Sequence, residues 1–193
     1  AVLETMRFLE EQGFCLTVLP VDASGKISLS ELEAAIRKDT VLVSLMYVNN
    51  EIGAIQPIAE AAALIHRLNP DCYFHVDAVQ AYGKFEIYPK RLGIDMMSVS
   101  SHKIEGPKGV GFLYVNRRVS IKPASFGGGQ QGGLRSGTLN VPGIAGMAEA
   151  ARAAYEDFEE KRERLLRVKD RILAGAAELP GVRANSAPGM DSA

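Results

Sequence analysis

The stretch SVSSHKIEGPKGVGFLYV, residues 98–115, joins two apolar runs through a polar, glycine-rich loop. The runs at 94–99 (IDMMSV) and 110–115 (VGFLYV) are short and rich in β-forming residues, so each predicts a strand. The segment between them begins with four polar residues: Ser100, Ser101, His102 and Lys103. This position, directly after a strand and behind two hydroxyls and a histidine, is typical of a lysine that binds a cofactor covalently. The alternative is an ordinary polar loop between two strands.

Upstream of this stretch, apolar runs alternate with helical patterns. Residues 41–48 (VLVSLMYV) and 72–76 (CYFHV) predict strands, the first of them covered on both faces. Between them, Pro57 predicts the first turn of a helix over 58–68. The remaining patterns predict a helix over 1–12, a strand over 14–19, a turn at 22–26, a helix over 28–38 begun by a capping box, and one long helix over 140–179.

This alternation predicts an α/β fold with a mainly parallel sheet and flanking helices. We expect residues 1–150 to form part of one large domain that includes the glycine-rich segment 126–139. The long helix then leads, over residues 151–193, into the start of a small α+β domain.

Polar residues follow three of the predicted strands at their carboxyl ends, where parallel sheets bind ligands. A pyridine-ring cofactor needs a carboxylate beside its ring nitrogen and a lysine for its aldehyde, and Asp77 and Lys103 are candidates for these two roles. The other candidates are Gln80 and Asn50 for the ring, and Ser100 and His102 for the phosphate. The alternative for Asp77 is a turn or helix cap.

Composition excludes several classes of function. The chain has 193 residues and a net charge of −1, which disfavours nucleic acid or an anionic membrane as the main partner. No apolar run approaches the ~20 residues of a membrane span. Cys15 and Cys72 form no CxxC pair, so we expect a reducing, cytoplasmic setting and two inert thiols buried in strands. Cys72 and His75 alternate across a strand, so no metal site is predicted.

Four segments together resemble the pyridoxal-phosphate-dependent cysteine desulfurases, which are class-V aminotransferases of fold type I. They are VSLMYVNNEIGAIQPI, HVDAVQAYGK, SVSSHKIEGPKGVGFLYV and GGGQQGGLRSGTLNVPGI. The resemblance implies that Lys103 is the Schiff-base lysine and that Asp77 holds the pyridinium nitrogen. It also implies that Asn50 and Gln80 contact the ring, and that Ser100 and His102 bind the phosphate. It further implies that Thr138, beside Arg135, reaches the phosphate of the other subunit in a homodimer.

The resemblance implies removal of sulfur from L-cysteine, which leaves L-alanine and a persulfide for a sulfur-acceptor protein. In that family a ring-stacking histidine, a phosphate-binding turn, a substrate-binding arginine and the catalytic cysteine lie outside the matched region. We therefore expect a central piece of a longer protein that is inactive alone. The rival hypotheses are another class-V enzyme, such as a selenocysteine lyase or an aminotransferase, and a non-catalytic α/β binding module.

Overall fold

The computed structural model describes residues 2–189 and 192–193, which form a four-stranded sheet with flanking helices. The α-helices lie at Val2–Glu11 (α1), Leu29–Ala35 (α2), Ile58–Leu68 (α3), Val141–Tyr155 (α4) and Phe158–Ala177 (α5). The strands lie at Leu42–Met46 (β1), Tyr73–Asp77 (β2), Met96–Ser100 (β3) and Gly111–Val115 (β4). Two 3₁₀ helices lie at Ser101–Ile104, called here the Lys103 turn, and at Gln130–Gly133.

The sheet has the strand order β1-β2-β3-β4. The first three strands are parallel, and β4 returns antiparallel to β3. The predicted α/β fold with a mainly parallel sheet is therefore confirmed. The helix predicted over 58–68 coincides with α3, where Pro57 precedes the first turn.

The core lies between the sheet and α3. Alternate side chains of β2 and β3 are buried, as the period of a strand requires. The apolar stripe of α3 covers them with side chains at helical spacing: Ile58, Ala61, Ala62 and Ile65. Phe74 at the centre of β2 is completely buried. Full burial of one such side chain stabilises the fold by about 1.5–3 kcal/mol.

An ionic cluster fastens the amino end of the sheet. Asp95, just before β3, is buried and accepts hydrogen bonds from the backbone amide of Phe74 at 2.8 Å and from Arg118 Nη2 at 2.6 Å. Arg118 Nη2 also donates to the carbonyl of Cys72 at 2.8 Å, and His66 Nε2 lies 3.1 Å from Asp95 Oδ2. The cluster therefore ties α3, β2, β3 and the segment after β4 together.

The single helix predicted over residues 140–179 is wrong, because the structure has two helices there. Asp157, between α4 and α5, adopts a left-handed conformation with φ of 49°. Lys161 Nζ, on the first turn of α5, donates to the carbonyls of Ala153 at 2.6 Å and Glu156 at 2.7 Å. These bonds satisfy the last carbonyls of α4, which stabilises the break. The domain division at residue 150 stays a prediction, and α4 continues through that residue.

Three smaller predictions also differ from the structure. Residues 14–19 form no strand, since no partner strand pairs with them in the described part of the chain, and Cys15 is exposed rather than buried. The helix predicted over 28–38 ends at Ala35, because the next residue, Ile36, is extended. Strand β1 lies at the edge of the described sheet with half-buried side chains, so it is not covered on both faces.

The predicted helix at the amino terminus and the turn at 22–26 are confirmed. Helix α1 covers Val2–Glu11, and the turn is held by hydrogen bonds that Asp22 Oδ1 accepts from the amides of Ser24 and Lys26. Over the described residues, no helix combines the length and apolar character that a membrane span requires.

Candidate active site

The carboxyl ends of β1, β2 and β3 lie at one edge of the sheet because the three strands are parallel. In register, Asp77 pairs with Met46 of β1 and with Ser98 of β3. Residues proposed for the site lie at or after the end of each strand: Asn50 four residues after β1, Asp77 and Gln80 at the end of β2, and Ser100, His102 and Lys103 at the end of β3. The topology therefore brings six of the seven proposed residues to one edge.

Asp77 is fixed by backbone contacts at the end of β2. Its carboxylate Oδ1 accepts a hydrogen bond from the Val79 amide at 3.0 Å, and its carbonyl accepts one from the Tyr47 amide at 2.8 Å. This is the turn-cap role that was the alternative for Asp77, and it occupies only one carboxylate oxygen. The other oxygen, Oδ2, has no hydrogen-bond partner within the described residues, so it remains available to a ligand.

His75 lies on the same face of β2 as Asp77, two residues earlier. Its Nδ1 is 2.8 Å from the hydroxyl of Ser44 on β1. Burial lowers the pKa of the His75 imidazole, although the Asp77 carboxylate opposes this effect. A neutral His75 is the form that this packing favours at pH 7.

Lys103 lies in the Lys103 turn, Ser101–Ile104, directly after β3. In a 3₁₀ helix the side chains at i and i+3 eclipse, and here Ser101 and Ile104 are both buried. The two residues between them, His102 and Lys103, are exposed. Within the described residues the Lys103 amine makes no hydrogen bond or ion pair. The fold thus anchors both ends of the turn and leaves a free amine at its middle.

Lys84 is a second amine near Lys103 that sequence reasoning missed. It is half-buried, and its Nζ donates to the carbonyl of Gln80 at 2.9 Å, which closes the turn after β2. Burial lowers the pKa of the Lys84 amine, and repulsion from Lys103 lowers it further. The available signal was its position in HVDAVQAYGK, four residues after Gln80.

Asn50 and Thr138 are less well placed. Asn50 is exposed, and its Nδ2 donates to Glu51 Oε1 at 2.8 Å. Thr138 lies in the glycine-rich segment 126–139, exposed and separate from the edge formed by β1–β3; no hydrogen bond joins it to that edge in the part of the chain that the structure describes. The structure therefore does not bring Thr138 together with the other proposed residues. Its neighbour Ser136 donates through Oγ to the Ser125 carbonyl at 2.9 Å.

A cavity of about 960 Å³ lies beside this edge between the Lys103 turn and helices α4 and α5. Lys84 and Lys103 line it, but Asp77, Gln80, Ser100 and His102 do not. Its remaining wall is largely apolar. The cavity is thus distinct from the polar edge, although the two adjoin at Lys103. No group of three or more metal-ligating side chains occurs among residues 2–189 and 192–193.

The chain is similar to known proteins over nearly its whole length. The chain is 47% identical over 188 residues to the cysteine desulfurase IscS of Methanosarcina thermophila, which covers 97% of the chain and 46% of that relative. It is 48% identical over 189 residues to the mitochondrial cysteine desulfurase of Saccharomyces cerevisiae, which covers 97% of the chain and 38% of that relative. The chain thus spans under half the length of these curated relatives. The resemblance to cysteine desulfurases is confirmed.

Solved structures are similar over a comparable range. A NifS-like protein superposes with a TM-score of 0.90 at 43% identity, covering 93% of the chain and 49% of that structure. DndA from Streptomyces lividans gives a TM-score of 0.85 at 44% identity, covering 93% and 51%. The family model described as aminotransferase class-V matches residues 1–191. On this match the chain belongs to the class-V aminotransferase family, whose members depend on pyridoxal phosphate.

Proposed function

We propose that the protein is a pyridoxal-phosphate-dependent cysteine desulfurase, which removes sulfur from L-cysteine and leaves L-alanine and a persulfide. The observation that carries this proposal is the unpaired amine of Lys103, which follows β3 at the same edge where Asp77 ends β2. The similarity to desulfurases of two organisms supports the choice of substrate.

The residues at this edge fit the cofactor. The free Lys103 amine suits the aldehyde carbon, and the unpaired Asp77 Oδ2 suits a protonated ring nitrogen. The Ser100 hydroxyl and the His102 imidazole, both without hydrogen-bond partners in the described residues, suit the phosphate. Gln80, which follows β2, and Asn50, which follows β1, are the candidates for contacts to the ring. When bound, pyridoxal phosphate supplies an electron sink for the substrate carbon.

Each residue then has a chemical role that its position permits. Asp77, held by the Val79 amide, keeps a proton on the ring nitrogen through the charge of its carboxylate. The Lys103 amine takes a proton from the substrate α-carbon and returns one to the product. The neutral imidazole of His75, on the same face of β2 as Asp77 and paired with the Ser44 hydroxyl, adds no competing positive charge.

We propose that the enzyme acts as a homodimer in the cytoplasm and passes sulfur to an acceptor protein. The glycine-rich segment and the start of α4 expose large apolar side chains, as a subunit interface would: Phe126, Leu134, Leu139, Val141 and Ile144. Thr138 lies among them, so pairing of two copies offers a route by which it reaches the partner's phosphate. Free rather than disulfide-bonded cysteines support the cytoplasm.

The test is covalent capture of the cofactor by the full-length protein. Borohydride reduction with pyridoxal phosphate should attach the label to the peptide that contains Lys103, as read by mass spectrometry. Lys103→Ala should lose both this label and alanine release from L-cysteine, whereas Lys90→Ala, at an exposed surface lysine, should retain both. A Lys103→Ala variant that still released alanine at the parent rate would refute the proposal.

A further inference from the structure

Helix α4 packs directly against the loop that follows Lys103, and small residues make this close approach possible. A Cβ atom added at Gly146 would lie 2.7 Å from Pro107 Cγ and 3.2 Å from its Cδ. One turn further along α4, the Cβ of Ala150 lies 3.1 Å from where a Cβ at Gly106 would stand. The helix and the loop are therefore in contact at two successive turns of α4.

Gly146 occupies the interior of a helix, where glycine is less stable than alanine. Its close approach to Pro107 leaves no room for a Cβ atom, since the proline ring is rigid and cannot move aside from an added methyl group without moving the loop. Gly175, in α5, provides the comparison: an added Cβ there meets nothing within 4 Å.

On the side of the loop away from Pro107, Gly106 lies equally close to Ser101. An added Cβ would lie 2.1 Å from Ser101 Oγ, and the Gly106 amide donates to the Ser101 carbonyl at 3.1 Å. Ser101 is completely buried, and its hydroxyl has no hydrogen-bond partner in the described residues. Glu105, which lies between Lys103 and Gly106, is left-handed with φ of 66°. The backbone here is constrained by packing on both sides.

We propose that α4 is the element that positions Lys103 for reaction with the cofactor, and that Gly146 and Gly106 are its positioning residues. Gly146 allows the helix to approach Pro107, and Gly106 allows the loop to close on the buried Ser101. Neither glycine touches the reacting atoms, so both act through the backbone of the Lys103 turn. This inference rests on the proposed function, in which Lys103 carries the cofactor.

Packing against α4 can decide where Lys103 points because the Lys103 side chain has no partner in the described residues to hold it. Its direction is set by the backbone of the turn, which is anchored by buried Ser101 and Ile104 beneath and by α4 behind. Productive geometry for a reacting group requires placement within about 0.5 Å, and an error of about 1 Å can cost a factor of 10² in rate. A methyl group at Gly146 would displace the loop on this scale.

The experiment uses the full-length protein and compares Gly146→Ala with Gly175→Ala. Two quantities are measured: the rate of borohydride capture of pyridoxal phosphate at Lys103, and the pH midpoint of the visible absorbance change of the bound cofactor. We expect Gly146→Ala to slow capture about tenfold and to shift the midpoint. Gly175→Ala, which adds the same methyl group to an interior position of α5, should change neither quantity.

A double variant makes the test specific. Pro107→Ala removes the ring atoms that the added methyl group would meet, so Gly146→Ala with Pro107→Ala should recover capture rate and midpoint toward the parent values. A merely structural effect of the substitution on α4 would show no such rescue. Circular dichroism shows whether Gly146→Ala folds. If it does not, a second pair, Gly106→Ala with and without Ser101→Ala, gives an independent measurement.

The inference is overturned if folded Gly146→Ala, or in its place folded Gly106→Ala, captures cofactor at the parent rate with an unchanged midpoint. It is also overturned if the slowed variant is not rescued by its partner substitution. Failure of the proposed function looks different, because then the parent protein itself gives no label at Lys103.

Discussion

The phenol oxygen of Tyr155, the last residue of α4, accepts a hydrogen bond from the backbone amide of Gly83 at 3.1 Å. The same hydroxyl donates to the Phe85 carbonyl at 3.0 Å. Burial raises the pKa of this phenol, although the Gly83 amide opposes the effect, so the hydroxyl keeps its proton at pH 7. The Tyr155 side chain therefore holds residues 83–85, the segment after Gln80, against the end of α4.

Tyr155→Phe should therefore destabilise the protein by about 1–2 kcal/mol, because a partly buried amide and a partly buried carbonyl each lose a partner. Urea unfolding of the full-length protein measures this loss. Tyr88→Phe is the control, since Tyr88 is exposed and its hydroxyl donates to the exposed Glu86. Equal stability of the two variants would show that the Tyr155 hydroxyl adds nothing.

The ionic cluster around Asp95 predicts that the free energy of unfolding falls at acidic pH. Burial raises the pKa of Asp95, but hydrogen bonds from Arg118, the Phe74 amide and His66 outweigh burial and hold the pKa below its usual value. Because the folded-state pKa is depressed, the stabilisation is fully present above about pH 4 and is lost as pH falls through the folded-state pKa.

Asp95→Asn should lower the free energy of unfolding at pH 7 by on the order of 2–3 kcal/mol, since Arg118 loses its carboxylate. The stability of this variant should also fall less steeply below about pH 4 than that of the parent. Urea titrations at pH 7 and pH 3 test both statements. A parallel loss of stability in the two proteins on acidification would contradict the assignment.

Asp77→Ala should retain part of the cofactor binding while lowering turnover of L-cysteine by about a hundredfold. The reason is that an unprotonated pyridine ring is a poorer electron sink. Alanine release and borohydride labelling at Lys103, measured on the same sample, separate the two effects. Asp71→Ala is the matched control, because Asp71 precedes the amino end of β2, whereas Asp77 ends the strand. Turnover of Asp77→Ala within a fewfold of the control would exclude the role.

The 193 residues purified alone should not sustain turnover of L-cysteine, because neither cysteine suits transfer of sulfur at this edge. Cys72 is completely buried, and burial raises the pKa of its thiol. Cys15 is exposed, but it lies near Arg37, which precedes β1 at the opposite end of the sheet. Sulfide release with added pyridoxal phosphate and a thiol reductant is the assay. Steady release that disappears in Lys103→Ala would contradict this prediction.

Local sequence patterns were sufficient to predict the sheet and the helix over it. Strands β1 to β4 and α3 each coincide with an apolar run or stripe whose period is set by the backbone itself. The position of Asp77 and Lys103 at one edge of the sheet was predictable for a related reason. Parallel strands place their carboxyl ends at one edge, so chain order alone identifies the residues that lie there.

Features that depend on distant contacts were not predictable in this way. The break between α4 and α5 depends on Lys161 reaching back to the carbonyls of Ala153 and Glu156, while the helical period continues across it. Asp95 and Arg118 meet across the sheet without any motif. The strand predicted at 14–19 failed because β-propensity alone does not supply a pairing partner.

The antiparallel return of β4 has a consequence for the order in which the sheet assembles. Strands β3 and β4 are separated only by residues 101–110, whereas β1 and β2 pair across the longer segment 47–72 that includes α3. Closing a loop of about ten residues takes on the order of 10–100 ns, and longer closures cost more chain entropy. The hairpin that contains Lys103 is therefore expected to close before the parallel pairs form. Hydrogen-exchange labelling during refolding would then show protection of β3 and β4 ahead of β1.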